Sequence, residues 1–127
     1  MHRTLQTDLY QLTMAAGYFH RGLASTRATC ELFVRSLPAR RRYLVACGVD
    51  AAIEAIADLH FTEDDIAFLR DVPNLRRAMD DAFCDYLRGF AFRGDVWALP
   101  EGTVCFGQAP IVRVEADIIE AQLIETL

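Results

Sequence analysis

The first hydrophobic pattern along the chain lies in the stretch TDLYQLTMAAGYF, residues 7–19. Apolar positions recur there at spacings of four, three, four and three, at Leu5, Leu9, Leu12, Ala16 and Phe19. That period belongs to one face of an α-helix that packs on a core. Thr7 is a suitable N-cap because its hydroxyl can accept a hydrogen bond from the first turn, and Asp8 follows where a negative charge suits the helix dipole. The pattern therefore predicts a helix that begins after Thr7.

The opposite face of this helix is apolar as well. At about 100° per residue, Tyr10 shares that face with Met14 and Gly17. A helix that is apolar on two faces is typical of burial between two layers, and a chain of 127 residues offers few layers. Two interpretations of Tyr10 therefore stay open. It packs on a neighbouring element with its hydroxyl hydrogen-bonded, or its face meets a layer that belongs to a missing part of the chain or to another subunit.

Later patterns come in runs of strands and runs of helices rather than in alternation, which is typical of an α+β fold. Period-two alternation and short apolar runs predict strands at 28–38, 43–49, 95–107 and 109–116. Helical periodicity predicts further helices at 50–59, 62–71, 75–90 and 117–127. The run at 43–49 is too continuous to have one wet face, so it should be a central strand. Together with a turn at 39–42, it should form a hairpin with the strand before it.

Local signals mark where several of these elements begin and end. Thr62 followed three residues later by Asp65 has the form of a capping box, with aspartate in place of the usual glutamate. Pro73 should end the helix that this box begins. Asp50 is the expected cap of the preceding helix. The PEG sequence at 100–102 predicts a turn inside the 95–107 segment.

The last predicted helix has no stop signal. Asp117 should cap it, and Glu120 lies at the position that reaches back to the cap. Ile119, Leu123 and Leu127 lie near one face. No glycine, proline or polar cluster follows them. From this we expect the chain to be the opening segment of a longer protein, inactive alone and with apolar surface exposed.

Composition narrows the class of protein. Hydrophobic residues make up 53% and charged residues 24%, which is a globular composition. The net charge of −5 argues against a general nucleic-acid binder. All 13 basic residues are arginine, which excludes a mechanism that needs a lysine of this chain. There is no run of about 18 apolar residues and no apolar signal core, so we expect no membrane segment and a cytoplasmic location.

Cysteine and histidine offer little chemistry. The four cysteines form no CxxC pair, which makes a zinc site improbable, and we expect buried free thiols at Cys30, Cys47, Cys84 and Cys105. The histidines are scattered in predicted loops or helix ends, where exposed side chains without a role are expected, at His2, His20 and His60. The sequence therefore predicts no metal site.

Two charged clusters have alternative interpretations. The three arginines Arg40–Arg42 could bind a phosphate, or they form a solvated turn. The acidic run at 63–65 favours helix capping over metal binding, because it lies at a predicted helix N-terminus. Glu101 is adequately explained as a turn residue between two strands.

Five blocks of the sequence occur in a fixed order. They are TDLYQLTMAAGYF, ELFVRSLPARRRYLVACGVDAAIEAI, FTEDDIAFLR, DYLRGFAFRGDVWALPEGTVCFG and PIVRVEADIIEAQLIETL. Together they resemble the opening of nicotinate phosphoribosyltransferase over essentially the whole chain. The resemblance implies the N-terminal α/β domain of a type II phosphoribosyltransferase at 1–116. Residues 117–127 would then begin the helix that leads to a C-terminal α/β barrel, which is missing from this chain.

The same resemblance implies an activity for the intact enzyme. The family makes nicotinate mononucleotide from nicotinate and phosphoribosyl pyrophosphate in NAD salvage. The reaction is coupled to ATP hydrolysis through a phosphorylated histidine, with ATP and Mg²⁺ as cofactors. The active site lies at the interface of a homodimer. None of the three histidines matches the phosphorylated one, so no catalytic residue is expected in this segment.

Two site residues carry over from the family's TDLYQ motif. Tyr10 is at the position of the tyrosine that stacks on the pyridine ring in the neighbouring subunit's active site. Asp8 is at the position of the aspartate that lines the same site. A phenol face packs well on a flat pyridine ring, and a helix N-terminus favours the anionic substrates.

The sequence departs from the family pattern in three places, and two other functions stay open. Gln6, Asp117 and the ARRR sequence at 39–42 replace an apolar residue, a proline and a more glycine-rich tip. All three lie outside the pair of Asp8 and Tyr10. A related nicotinamide or quinolinate phosphoribosyltransferase is one alternative, because substrate choice is made mostly in the barrel. A non-catalytic α/β interaction module is the other.

Overall fold

This computed structural model describes residues 4–127, in which helices and strands come in runs. The helices are α1 (Leu9–His20), α2 (Val49–Ala57), α3 (Glu63–Asp71), α4 (Asp81–Arg88) and α5 (Ile118–Leu123). The strands are β1 (Arg27–Phe33), β2 (Leu44–Val45), β3 (Asp95–Ala98), β4 (Val104–Cys105) and β5 (Pro110–Asp117). The predicted α+β class is confirmed. None of these helices is long and apolar enough to cross a membrane.

Strand β5 is the centre of a three-stranded antiparallel sheet. It pairs with β1 on one side, from Arg27 opposite Asp117 to Leu32 opposite Val112, and with β3 on the other. The predicted hairpin between the strands at 28–38 and 43–49 is therefore wrong. Strand β5 has eight residues with which β1 can form backbone hydrogen bonds. The segment after the 39–42 turn has only two strand residues.

The segment predicted as a central strand at 43–49 is mostly not a strand. Only Leu44 and Val45 pair, with β4 in a separate two-stranded sheet, and Val45 is exposed. Gly48, at φ +87°, is the N-cap of α2, so the expected cap at Asp50 is wrong. A short apolar run without alternation carries no period, and a strand cannot then be told from a loop that leads into a helix.

The helix predicted at 75–90 is shorter than expected, whereas the capping box of α3 is confirmed. Helix α4 begins after Asp80, whose carboxylate accepts from the Phe83 amide at 2.9 Å. This cap stops the helical period from extending back to residue 75. In α3, the Thr62 hydroxyl accepts from the Asp65 amide at 3.2 Å, and Asp65 accepts from the Thr62 amide at 2.8 Å.

The last helix is also shorter than predicted. Helix α5 ends at Leu123, and residues 124–126 form turns. Asp117 is its N-cap, but its side chain makes no capping bond. Glu120 is buried and accepts from the Arg93 amide at 3.1 Å instead of reaching back to Asp117. The Glu120 carboxylate therefore binds the Arg93 amide, and not the backbone of the N-cap residue Asp117 as the sequence pattern predicts.

One core joins α1, α3, α4, α5 and the inner face of β5. Its largest fully buried side chains include Ile66, Leu69, Leu75, Phe83, Leu87 and Ile119.

Gly94 lies where the chain enters β3, in close approach to β5. A Cβ at this position would lie 2.5 Å from the Ala116 Cβ and 2.7 Å from the Glu115 carbonyl oxygen. Residue 94 must therefore be glycine for the chain to approach β5 this closely at the start of β3.

The cysteines divide into two classes. All four are free thiols, of which Cys84 and Cys105 are buried as expected. Cys30 and Cys47 are exposed, so the expectation of burial is wrong for them. Cys30 lies on β1, an edge strand in which all residues but one are exposed.

An outward face of helix α1 as the candidate functional site

Helix α1 begins one residue later than predicted. Its N-cap is Asp8, in extended conformation at φ −75° and ψ 140°, and the Asp8 side chain makes no capping bond. The expected cap at Thr7 is wrong, because the Thr7 hydroxyl donates to the side-chain oxygen of Gln11. The Asp8 carboxylate is therefore exposed at the positive end of the helix dipole.

The buried face of α1 is rotated from the predicted leucine stripe. The buried residues of the helix are Gln11, Leu12, Ala15 and Ala16. Leu9, a predicted core residue, is 42% exposed, and Leu5 and Phe19 are only partly buried. The rotation follows from Gln11, whose side chain is fully buried and hydrogen-bonded by hydroxyl groups from two segments.

The second face of the helix is exposed along its length. Tyr10 is 46% exposed and Met14 40% exposed, and the exposed Thr13 and Gly17 lie between Leu9 and Tyr10 on the helical projection. Leu9 extends this face on one side. We call the surface formed by Leu9, Tyr10 and Met14 the α1 outer face. A lone surface helix would carry charge here, so the α1 outer face has the composition of a contact surface.

A carboxylate from the segment after α5 holds the hydroxyl end of Tyr10. The Tyr10 hydroxyl donates to Glu125 Oε1 at 2.9 Å. This bond favours the protonated phenol, and Glu125 therefore raises the pKa of Tyr10 above its ordinary value. The remainder of the side chain stays half exposed, so an aromatic surface is presented outward while its polar end is occupied.

Gln11 is the polar residue at the centre of the α1–α5 contact. Its Oε1 accepts from the Thr126 hydroxyl at 2.6 Å and from the Thr7 hydroxyl. Its Nε2 has no hydrogen-bond partner within residues 4–127. Sequence analysis did not identify Gln11, Glu125 or Thr126 as part of this site, because partners about 115 residues apart leave no local pattern.

The other candidate residues are not gathered into a site. Arg40–Arg42 are exposed at a turn in which the Arg41 amide donates to the Pro38 carbonyl oxygen at 2.8 Å. Glu101 accepts from the Asp50 amide at 3.2 Å, at a turn in which the Thr103 amide donates to the Pro100 carbonyl. Among residues 4–127, no group of three histidine, cysteine or acidic side chains could hold a metal ion.

The histidines make backbone contacts. His20 Nε2 lies 3.2 Å from the Ala78 carbonyl oxygen, and His60 Nδ1 lies 2.7 Å from the Asp58 carbonyl oxygen. Both side chains are exposed, as predicted, but each is oriented by a carbonyl group. His2 lies outside the described residues.

The fold is that of an α+β domain of the phosphoribosyltransferases. The crystal structure of human nicotinic acid phosphoribosyltransferase matches 94% of this chain with a TM-score of 0.82 and 36% identity. The chain belongs to the nicotinate phosphoribosyltransferase N-terminal domain family, whose sequence model matches residues 5–127. The resemblance read from the five sequence blocks is confirmed.

Curated relatives agree over nearly the whole chain. It is 43% identical over 122 residues to nicotinate phosphoribosyltransferase pncB2 of Mycobacterium tuberculosis, and 42% identical over 123 residues to nicotinate phosphoribosyltransferase of Bacillus subtilis. These matches cover 96% and 97% of this chain but 25% and 24% of the relatives. The chain therefore spans about a quarter of their length. Nicotinate-nucleotide pyrophosphorylase from Pyrococcus furiosus shares the fold, with a TM-score of 0.66 at 18% identity.

Proposed function

We propose that this chain is the N-terminal part of an enzyme that makes nicotinate mononucleotide from nicotinate and phosphoribosyl pyrophosphate with ATP hydrolysis. The enzyme acts in NAD salvage as a cytoplasmic homodimer. The α1 outer face completes the pyridine site of the neighbouring subunit. The observation that carries the proposal is the half-exposed Tyr10, presented on an outward apolar helix face in a chain that belongs to this family.

The two proposed binding residues act through different physics. Tyr10 offers an aromatic face, which packs on a flat pyridine ring in offset or edge geometry. Asp8 lies exposed at the N-terminus of α1, where free backbone amides favour anions. Its own carboxylate would repel the carboxylate of nicotinate, so Asp8 lines the site by accepting hydrogen bonds rather than by binding the anion.

The described residues do not form a site that fits Mg²⁺. The Mg²⁺ ion prefers oxygen ligands in octahedral geometry, and residues 4–127 bring together no cluster of carboxylates that could supply them. We therefore assign Mg²⁺ binding to the remainder of the complete enzyme, and we propose that ATP binds there as well. The 127-residue chain alone is expected to be inactive.

Steady-state kinetics of the complete enzyme test the role of Tyr10. Loss of an aromatic pair worth about 0.5–1.5 kcal/mol should raise the KM for nicotinate roughly two- to tenfold in Tyr10→Ala. The matched control is Tyr43→Ala, which removes another exposed tyrosine away from α1. If folded Tyr10→Ala has unchanged nicotinate kinetics, the assigned role is wrong.

A subunit-mixing experiment tests whether the α1 outer face acts across the dimer. Tyr10→Ala subunits are mixed with subunits that carry an inactivating substitution in the barrel. One of the two sites in each heterodimer then has an intact Tyr10 and an intact barrel, so the KM for nicotinate should return to the parent value. Absence of rescue in verified heterodimers would contradict the cross-subunit geometry.

Turnover of nicotinamide or quinolinate in preference to nicotinate would support the related enzyme instead.

A further inference from the structure

The segment after α5 brings a fixed acceptor to the start of α1. Glu125 Oε1 accepts from the Tyr10 hydroxyl at 2.9 Å, and Glu125 Oε2 accepts from Gln122 Nε2 at 2.7 Å. Gln122 belongs to α5 itself. Both carboxylate oxygens are therefore engaged, one of them by the helix that precedes Glu125. Bonds to an ionised acceptor are stronger than neutral ones, so this carboxylate can restrict the phenol.

We infer that Glu125 is a positioning residue for Tyr10, because its carboxylate orients the phenol ring that the α1 outer face presents. The inference rests on the proposed function, in which that ring packs on a pyridine. A half-exposed tyrosine has several staggered side-chain rotamers. The hydrogen bond to Glu125 selects one of them before the substrate arrives, so less ordering remains to oppose binding.

The direction of the hydrogen bond determines what Tyr10 offers to a ligand. Its single hydroxyl proton is donated to Glu125, so it is not available to the carboxylate of a substrate. The aromatic ring is therefore the group presented to the ligand. It follows that removing the hydroxyl and removing its acceptor should have the same effect on binding, and that either should be milder than removing the ring.

A purely structural role for Glu125, as a tie between α1 and α5, has less support. The segment after α5 is tied to α1 independently by the Thr126 hydroxyl, which donates to the buried Gln11 at 2.6 Å. The contact between the two helices also buries Ala15 of α1 and Ile119 of α5 completely. The hydrogen bond between Tyr10 and Glu125 is exposed to solvent. Exposed interactions with a charged group add little to the stability of the fold. Its loss should leave the fold intact.

The test is a double-mutant cycle in the complete enzyme. Glu125→Ala and Tyr10→Phe should each raise the KM for nicotinate about two- to fivefold, the loss of one modest hydrogen bond. The kcat, the KM for phosphoribosyl pyrophosphate and the melting temperature should not change. Glu125→Gln keeps an acceptor oxygen and should restore a KM close to that of the parent enzyme. Glu54→Ala, which removes an exposed glutamate of α2, is the matched control.

The double variant of Tyr10→Phe with Glu125→Ala distinguishes the possible outcomes. A KM equal to that of either single variant supports positioning, because both changes break the same bond. Additive effects, or a lowered melting temperature in Glu125→Ala, would overturn it. An unchanged KM in Glu125→Ala alongside a raised KM in Tyr10→Ala refutes positioning and leaves the proposed function standing. An unchanged KM in Tyr10→Ala itself refutes both.

A spectroscopic measurement tests the bond without any substrate. Alkaline titration of ¹³C-labelled tyrosine rings, with the Tyr10 signal identified by its loss in Tyr10→Phe, reports the pKa of the phenol. Glu125→Ala should lower this pKa toward the ordinary value, since the carboxylate favours the protonated phenol. An unshifted Tyr10 titration in Glu125→Ala would show that the two groups do not interact in solution, which overturns the inference.

Discussion

Replacing Gly94 by alanine should destabilise this domain. The added Cβ would lie 2.5 Å from the Ala116 Cβ, 2.7 Å from the Glu115 carbonyl oxygen and 2.8 Å from the Phe92 Cζ. The first two atoms belong to β5 at the centre of the sheet and cannot rotate away. Overpacking of this kind costs about 1–3 kcal/mol, and contact with fixed atoms favours the upper end of that range.

An opposing effect has to be subtracted. Gly94 does not have a positive φ, so alanine can adopt its backbone conformation. Alanine also makes the unfolded chain less flexible, which stabilises the folded state by about 0.4–1 kcal/mol. The net loss is therefore about 2 kcal/mol. At about 2.1 cal/mol/K of unfolding entropy per residue, the 127 residues convert this loss into a melting temperature lower by about 7 °C.

Gly17→Ala is the matched control, with the same chemical change and the opposite expected sign. Gly17 lies inside α1, and an added Cβ there meets no atom within 4 Å. Alanine in a helix interior is favoured over glycine by about 0.5–1 kcal/mol. Thermal and urea unfolding followed by circular dichroism measure both variants. If Gly94→Ala is as stable as the parent chain, the close approach of residue 94 to β5 is not a constraint on the fold.

Two smaller predictions follow from thiol exposure and from one ion pair. In the native chain, a thiol reagent such as Ellman's reagent should modify Cys30 and Cys47 rapidly and the two buried cysteines only after unfolding; four equally fast thiols would contradict the packing. Arg88 lowers the pKa of Glu63 through hydrogen bonds of 2.7 and 3.1 Å. The stability from this pair is present above the unfolded pKa of Glu63 and is lost as pH falls through the folded pKa. Unfolding curves of Glu63→Gln and the parent chain should therefore differ at neutral pH and converge in acid.

Short-range signals predicted local structure well. The capping box of α3 needs only Thr62 and Asp65, three residues apart, and both of its hydrogen bonds are present. The turn at residues 100–103 likewise depends on neighbours. In such cases the interacting groups are adjacent in sequence, so residue type alone determines the outcome.

Strand pairing could not be predicted in the same way. The segment after the turn at 39–42 follows β1 directly, yet β1 pairs with β5, more than 75 residues further along the chain. Sequential strands are often neighbours, and that rule favoured the wrong partner. The decisive factor was the length of ladder and buried apolar surface on β5, where Val112, Val114 and Ala116 alternate toward the core. Only the assembled sheet reveals that advantage.

The α1 outer face shows how a polar core residue limits what periodicity can predict. The leucine stripe placed Leu9 in the core and left Gln11 out of it, because apolar residues are normally the buried ones. Gln11 is nevertheless buried: the hydroxyl groups of Thr7 and Thr126 donate to its oxygen, while its Nε2 has no partner among residues 4–127. Burial of Gln11 rotates α1 and turns Leu9 outward beside Tyr10. Long-range polar contacts from the segment after α5 therefore set the width of the exposed apolar face and, through Glu125, the orientation of its tyrosine.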